Sequence, residues 1–181
     1  MFSSRKSNGV RGGNPTLGTK SLRFRSSASA YLSRTPSSTG STQKLTYSTW
    51  VKRGILSAYS NFGLCAAVSG SSRDAIRFTN TNQIDIYFAE GGTYDLSTTA
   101  VFVDPSAWYH VVVAIDTTQA TASNRVILYV NNVQITLTGT QPAQNYNFTG
   151  FNVSGKEQDI GRNTAGAFYY DGEIADTYLI D

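Results

Sequence analysis

Residues 125–138, RVILYVNNVQITLT, decide the fold. Two aliphatic, β-branched runs flank Asn131-Asn132, and Asn tolerates the positive φ that both central residues of a type I′ turn require. A two-residue turn there sets Val130 opposite Val133, Leu128 opposite Ile135 and Val126 opposite Leu137, all apolar. The other face pairs Tyr129 with Gln134, Ile127 with Thr136 and Arg125 with Thr138. The register therefore predicts a hairpin with one buried face and one mixed face.

The same reading extends outward. Ile76 and Phe78 lead into a second turn near Asn80 to Asn82, and Ile84, Ile86 and Phe88 return from it. In WYHVVVAID at 108–116, Tyr109, Val111, Val113 and Ile115 share one face, and Trp108, His110, Val112 and Ala114 the other. Both faces are largely apolar, which predicts a central strand covered on each side. Further strands are expected at 21–25, 31–34, 44–53, 62–68, 75–79, 83–90, 101–104, 125–130, 133–138, 158–162 and 173–180, separated by Gly, Asn, Asp, Ser and Pro. Composition agrees: Ser and Thr number 21 each, whereas Glu and Lys, good helix formers, total only 3 and 5. The expected fold is all-β, an antiparallel two-sheet β-sandwich over residues 20–181.

Residues 1–19, MFSSRKSNGVRGGNPTLGT, show neither period 2 nor period 3.6 and are expected to form an extended N-terminal arm. Phe2, Val10 and Leu17 are too few for a core but enough to anchor an extended chain in a groove. Arg5, Lys6 and Arg11 would meet carboxylates there. Their charge is sparse and no aromatic is interleaved among them, so nucleic-acid binding is not expected. Residues 1–73 hold eleven Lys or Arg and no acid, while residues 74–181 hold four basic residues and twelve acids. Where the first and last strands of a sandwich lie together, these blocks compensate. The single cysteine, Cys65, excludes an internal disulfide framework. No apolar run is long enough for membrane insertion, and the first twenty residues lack the apolar stretch of a cleaved leader.

Four ordered stretches carry a resemblance: KLTYSTWVKRG at 44–54, DPSAWYHVVVAIDTTQATASNRVILYVNNVQ at 104–134, Ile160-Gly161-Arg162, and FYYDGEIADTYLID at 168–181. Over roughly residues 20–181 they resemble the laminin-G-like, concanavalin A-like jelly-roll domains of bacteriophage structural proteins, with Asn132 where that family usually has Gly. The resemblance implies a non-enzymatic virion component, a decoration, fibre or appendage subunit, assembled in bacterial cytoplasm. It would be a homo-oligomer attached to other virion proteins through its arm. The alternative it implies is an adhesin for host-surface glycan, and a more distant one is a glycoside hydrolase.

Chemistry-bearing patterns are thin. A Ser/His/Asp triad would have to use His110, the only histidine, and no G-x-S-x-G elbow presents a serine. Jelly-roll glucanases place carboxylates at i, i+2 and i+4 on one strand face; Glu157-Gln158-Asp159-Ile160-Gly161 lacks the third. No catalytic residue and no cofactor are expected. Calcium needs several oxygen ligands, and Asp116 with Asn124 is the candidate cluster for it. Among loop aromatics, Tyr59, Phe62, Tyr94, Tyr146, Phe148 and Phe151 could stack on sugars or on another subunit, with Tyr146, Phe148 and Phe151 in QNYNFTGFN the cluster to watch.

Overall fold

In the computed structural model, which describes residues 20–67, 73–89 and 94–181, Asn131 and Asn132 take φ of 52° and 66°. The turn is therefore of the primed kind, and Val133, Gln134 and Ile135 pair with Val130, Tyr129 and Leu128 as the spacing predicts. Beyond Ile135 the expected register ends. Leu137 pairs with Thr98 in a different sheet, because the strand expected at 133–138 breaks into Val133–Ile135 and Leu137–Gly139 and crosses between layers. Val133 is 62% exposed, since it lies at a sheet edge where none of the described residues forms a second layer over it.

Thirteen strands occur among the described residues: β1 Leu22–Phe24, β2 Leu32–Arg34, β3 Lys44–Arg53, β4 Leu64–Ala67, β5 Arg73–Phe78, β6 Ile84–Phe88, β7 Tyr94–Thr98, β8 Tyr109–Asp116, β9 Val126–Val130, β10 Val133–Ile135, β11 Leu137–Gly139, β12 Gln158–Ile160 and β13 Gly172–Ile180. They form two antiparallel sheets, a six-stranded one ordered β1-β13-β3-β8-β9-β10 and a seven-stranded one ordered β11-β7-β6-β5-β4-β12-β2. The only helix among the described residues is 3₁₀, at Ser26–Ala28 and Ala122–Asn124. This is the all-β two-sheet sandwich expected.

Alternation explains the layers. On β3, Leu45, Tyr47, Thr49, Val51 and Arg53 are buried and the residues between them are not. Across the core, Ile76, Phe78, Ile84, Ile86, Phe88 and Leu96 of the seven-stranded sheet meet Tyr47, Val51, Val111, Val113 and Leu128 of the other. Each such side chain contributes about 1.5–3 kcal/mol of burial. The second hairpin forms in the expected pairing, with Ile76 opposite Ile86 and Phe78 opposite Ile84.

Two further expectations are corrected. Residues 101–104 form no strand: Val101 and Val103 are 55% and 50% exposed, and Phe102 alone turns inward. Its carbonyl accepts from the buried Arg53 guanidinium, which also lies 4.1 Å from the Phe78 ring centre. Strand β8 is central, as expected, but among the described residues no layer covers its outer face, where His110, Val112 and Ala114 are half-buried. His110 stacks on Trp50 at 4.8 Å and its Nε2 lies 3.1 Å from Ser48 Oγ, so it is a packed strand residue. The basic start and acidic end do meet: β1 pairs with β13, and Arg23 binds Asp171 at 2.9 Å.

Candidate functional site

Because Ile76, Phe78, Ile84, Ile86 and Leu96 point inward, the residues alternating with them point outward. Register then assembles two rows on the outer face of the seven-stranded sheet. One runs Ser33, Asp159, Cys65, Ala75, Tyr87, Asp95 and the other Arg77, Asp85, Ser97, Thr138. An outer face facing plain water would leave these exposed. Instead Asp159, Cys65, Ala75 and Asp85 are at most 2% exposed; Arg162 lies against Asp159, Arg77 against Asp85 and Thr164 against Cys65.

The cover has two centres. At one, Arg77 binds Asp85 through Nε at 2.7 Å and its guanidinium carbon lies 5.1 Å and 5.0 Å from the ring centres of Tyr59 and Tyr87. Tyr59 in turn packs on Phe168 at 5.6 Å. At the other, Arg162 binds Asp159 at 2.7 Å and Glu157 at 2.9 Å, hydrogen-bonds Tyr169 and lies 3.5 Å from the centre of the Tyr31 ring. Tyr31, Tyr59 and Phe168 are 42%, 39% and 44% exposed, so flat aromatic edges rise beside ordered ion pairs. Such a surface offers apolar stacking with fixed hydrogen-bonding groups beside it.

Burial sets the electrostatics. Asp85 is pushed up to about 7, chiefly by burial and then by its hydrogen bond with the Asp95 carboxyl, against the pull of Arg77. Burial likewise raises the Cys65 thiol to about 11, which keeps it protonated and inert.

The Glu157-Asp159 strand lies on this face, yet both carboxylates are held by Arg162 and Asp159 is fully buried. The third position is closed as well: Gly161 has φ +93°, and a Cβ there would sit 2.5 Å from the Phe24 ring.

The residues singled out from sequence fare differently. Phe148 and Phe151, in the segment 146–151, are 1% and 0% exposed and pack with Phe88 in the core. Both are corrected from candidate sugar contacts to core residues, as is Phe62. The buried Asp74 carboxylate holds that segment by accepting from the backbone N–H groups of Gly150 and Phe151. Tyr94 and Tyr146 are half-buried and pack on each other at 5.2 Å. Tyr59 alone of that set reaches the outer face of the seven-stranded sheet. Asp116 and Asn124 line a separate hollow of about 580 Å³ on the six-stranded sheet. There Asp116 accepts from Thr118 N–H and hydroxyl and from Gln119, as a turn-closing residue does. Among the described residues no group of three or more His, Cys, Asp or Glu could hold a metal ion, and no helix is long and apolar enough to cross a membrane. Phe2, Arg5, Lys6, Val10, Arg11 and Leu17 lie outside the described residues.

Comparison of the sequence with curated proteins gives no match. Among solved structures, the fold is similar to laminin domains LG4-5 of the mouse alpha1 chain (TM-score 0.62, 13% identity, covering 94% of this chain and 44% of that one). It is similar to domain 4 of a GH43 extracellular arabinanase from Geobacillus stearothermophilus in complex with arabinotriose (0.54, 16%, 77% and 61%). Full-length tailspike protein 2 of Escherichia coli O157:H7 bacteriophage CAB120 is also similar (0.57, 14%, 88% and 22%). The chain thus spans less than two thirds of each of these three proteins. A family profile matches residues 26–181, nearly the whole sandwich, and on that match the chain belongs to the concanavalin A-like lectin/glucanases superfamily.

Proposed function

We propose that this chain is a non-enzymatic, glycan-recognising structural domain of a bacteriophage particle, reading sugar with the outer face of its seven-stranded sheet. The observation behind this reading is the pair of arginines, Arg77 and Arg162, each locked to carboxylates and each lying against tyrosine rings on that one face. Sugars present apolar C–H faces and fans of hydroxyls; exposed Tyr31, Tyr59 and Phe168 suit the first and the ordered ion pairs beside them suit the second. The same ion pairs argue against hydrolysis. A glycosidase needs two carboxyl groups free to act as acid and as base or nucleophile, whereas on β12 Asp159 is buried against Arg162 and Glu157 is bound by the same guanidinium.

The virion setting draws on the four sequence stretches that resemble phage structural proteins and on the tailspike similarity. In this reading residues 1–19 attach the domain to other virion proteins, Phe2, Val10 and Leu17 seating in a groove and Arg5, Lys6 and Arg11 meeting carboxylates. No cofactor is required.

The test is retention of purified protein on an array of host-surface polysaccharides. The wild type is expected to bind at least one, with Tyr59→Ala and Tyr31→Ala each weakening binding about tenfold and both proteins still folded. No new reducing ends should appear during incubation. Binding that survives both substitutions would move the site off this face, and released oligosaccharide would make the chain an enzyme.

A further inference from the structure

The opposite outer face, on the six-stranded sheet, is built on another principle. We infer that it is a two-fold interface between two copies of this chain. Across β3 and β13 the outward pairs are Lys52 with Glu173, Trp50 with Ala175, Ser48 with Tyr178 and Thr46 with Ile180. Each pair sets positive against negative or large against small. Tyr178 and Ile180, 58% and 62% exposed, stand up beside the small Ser48 and Thr46.

An axis along the strands, between β3 and β13, brings each residue of one copy over its own cross-strand partner in the second. Tyr178 then sits over the second copy's Ser48, Ile180 over its Thr46 and Lys52 over its Glu173, each contact made twice. Trp50 and Ala175 stay within their own chain, the first stacked on His110 and the second buried, and Arg23 beside Glu173 is held by Asp171. The bulge in β13 aligns the outward pairs. Ala175 and Tyr178 are three residues apart, an odd number that would put them on opposite faces, and the register shift at Asp176, φ 47°, returns both to one face.

The size fits a weak, concentration-dependent dimer. About that axis β13 and β3 overlap along about 30 Å, whereas β1, three residues long, meets the second copy's β8 over about 10 Å, an area of about 400 Å² per copy before side-chain corrugation is added. Two such faces bury about 800 Å², below the roughly 1,200 Å² of a standard stable interface. A sugar suits the face less well, because its central polar groups are already used: Ser48 Oγ meets His110 Nε2, and the rest of the middle is Val112, Ala114, Ile127 and Tyr129. Two copies joined here point their seven-stranded faces in opposite directions. The inference goes beyond the glycan reading and is tested without sugar.

The experiment follows association of the full chain by sedimentation equilibrium over a concentration series, with circular dichroism to verify folding. The wild type is expected to dimerise, and K52E and E173K each to weaken association about tenfold by setting like charges together twice. Mixing K52E with E173K in equal amounts should restore dimers, since both charged contacts between the unlike chains are then complementary. No change within one chain can produce that recovery. Y178E, placing a charge on the apolar stripe, should leave a folded monomer. A wild type that stays monomeric at every concentration, or a mixture no tighter than its components, overturns the interface.

Discussion

The two outer faces of this sandwich are laid down by the same strand alternation, yet one hides its charges and the other shows them. On the seven-stranded sheet, Asp159 and Asp85 are buried beneath arginines that are themselves only 14% and 19% exposed. On the six-stranded sheet, the Lys44–Asp116 pair is 3.6 Å long, with side chains 58% and 29% exposed, and lies beside an apolar stripe. Covered charges are coupled to stability and to protonation; exposed ones are screened and nearly independent. That contrast can be broken at three points of decreasing size.

The largest effect is expected from Arg162→Ala. It leaves Asp159 as a fully buried carboxylate without its charged partner, a loss of about 3–5 kcal/mol, and should lower Tm by about 10 °C. The double variant R162A/D159A should lose less than the sum of the two single changes, because the orphaned charge is then gone. Urea unfolding of the four proteins measures this. Additive losses would mean that the covered pair behaves like a surface pair and that the two faces do not differ.

Much of the architecture was legible in the sequence, and the reasons are local. Strand 44–53 could be read from end to end because ten residues alternate without interruption, and the 131–132 turn because two adjacent Asn residues admit few other conformations. Strand β7 was missed: YDLST turns Tyr94, Leu96 and Thr98 inward, and only Leu96 is aliphatic, so the run looks polar. Residues 101–104 were over-read because VFVD has strand composition, although only Phe102 is buried. The candidate site was mostly illegible. Joining Tyr31, Arg162, Tyr59, Arg77 and Tyr87 requires the order β2-β12-β4-β5-β6, and no local pattern encodes that neighbourhood. One signal was present. The predicted 80–82 hairpin, once its Phe78–Ile84 pair is accepted, sets Arg77 opposite Asp85, an ion pair that the outward alternation of that hairpin could have shown.

An intermediate effect is expected in the pH dependence of stability. Asp85 is raised by burial to about 7 in the folded protein, against an unfolded carboxyl near 4. Between about pH 4 and pH 7 the folded state therefore binds more protons than the unfolded one, so this contribution is fully present below about pH 4 and is lost as pH rises through about 7. His110 acts in the opposite sense. Burial lowers its pKa, so its contribution grows as pH rises toward the unfolded value of about 6.5. Thermal unfolding of wild type, D85N and H110Q across pH 4–8 separates the two. D85N should remove a downward slope and H110Q an upward one. A D85N profile parallel to that of the wild type would show that the buried aspartate does not titrate in this range.

The smallest effect is expected on the exposed face, from Lys44→Ala. Although Asp116 is held down at about 2, the hydroxyl of Thr118 is the main cause, the Gln119 amide comes next, and Lys44 adds least. The stability linked to Asp116 is present above about pH 4 and is lost as pH falls toward 2. Removing the lysine should leave that acid limb where it is and shift Tm at pH 7 by no more than about 2 °C, a change that added salt erases. Thr118→Val should move the limb instead, because it deletes the short hydroxyl contact that closes the turn after β8. Differential scanning calorimetry at pH 2.5, 4 and 7 compares the two variants. If K44A shifted the acid limb as far as T118V, the lysine would be a principal partner of Asp116. The exposed face would then be as strongly coupled as the covered one, and the contrast between them would rest on Arg162 and Arg77 alone.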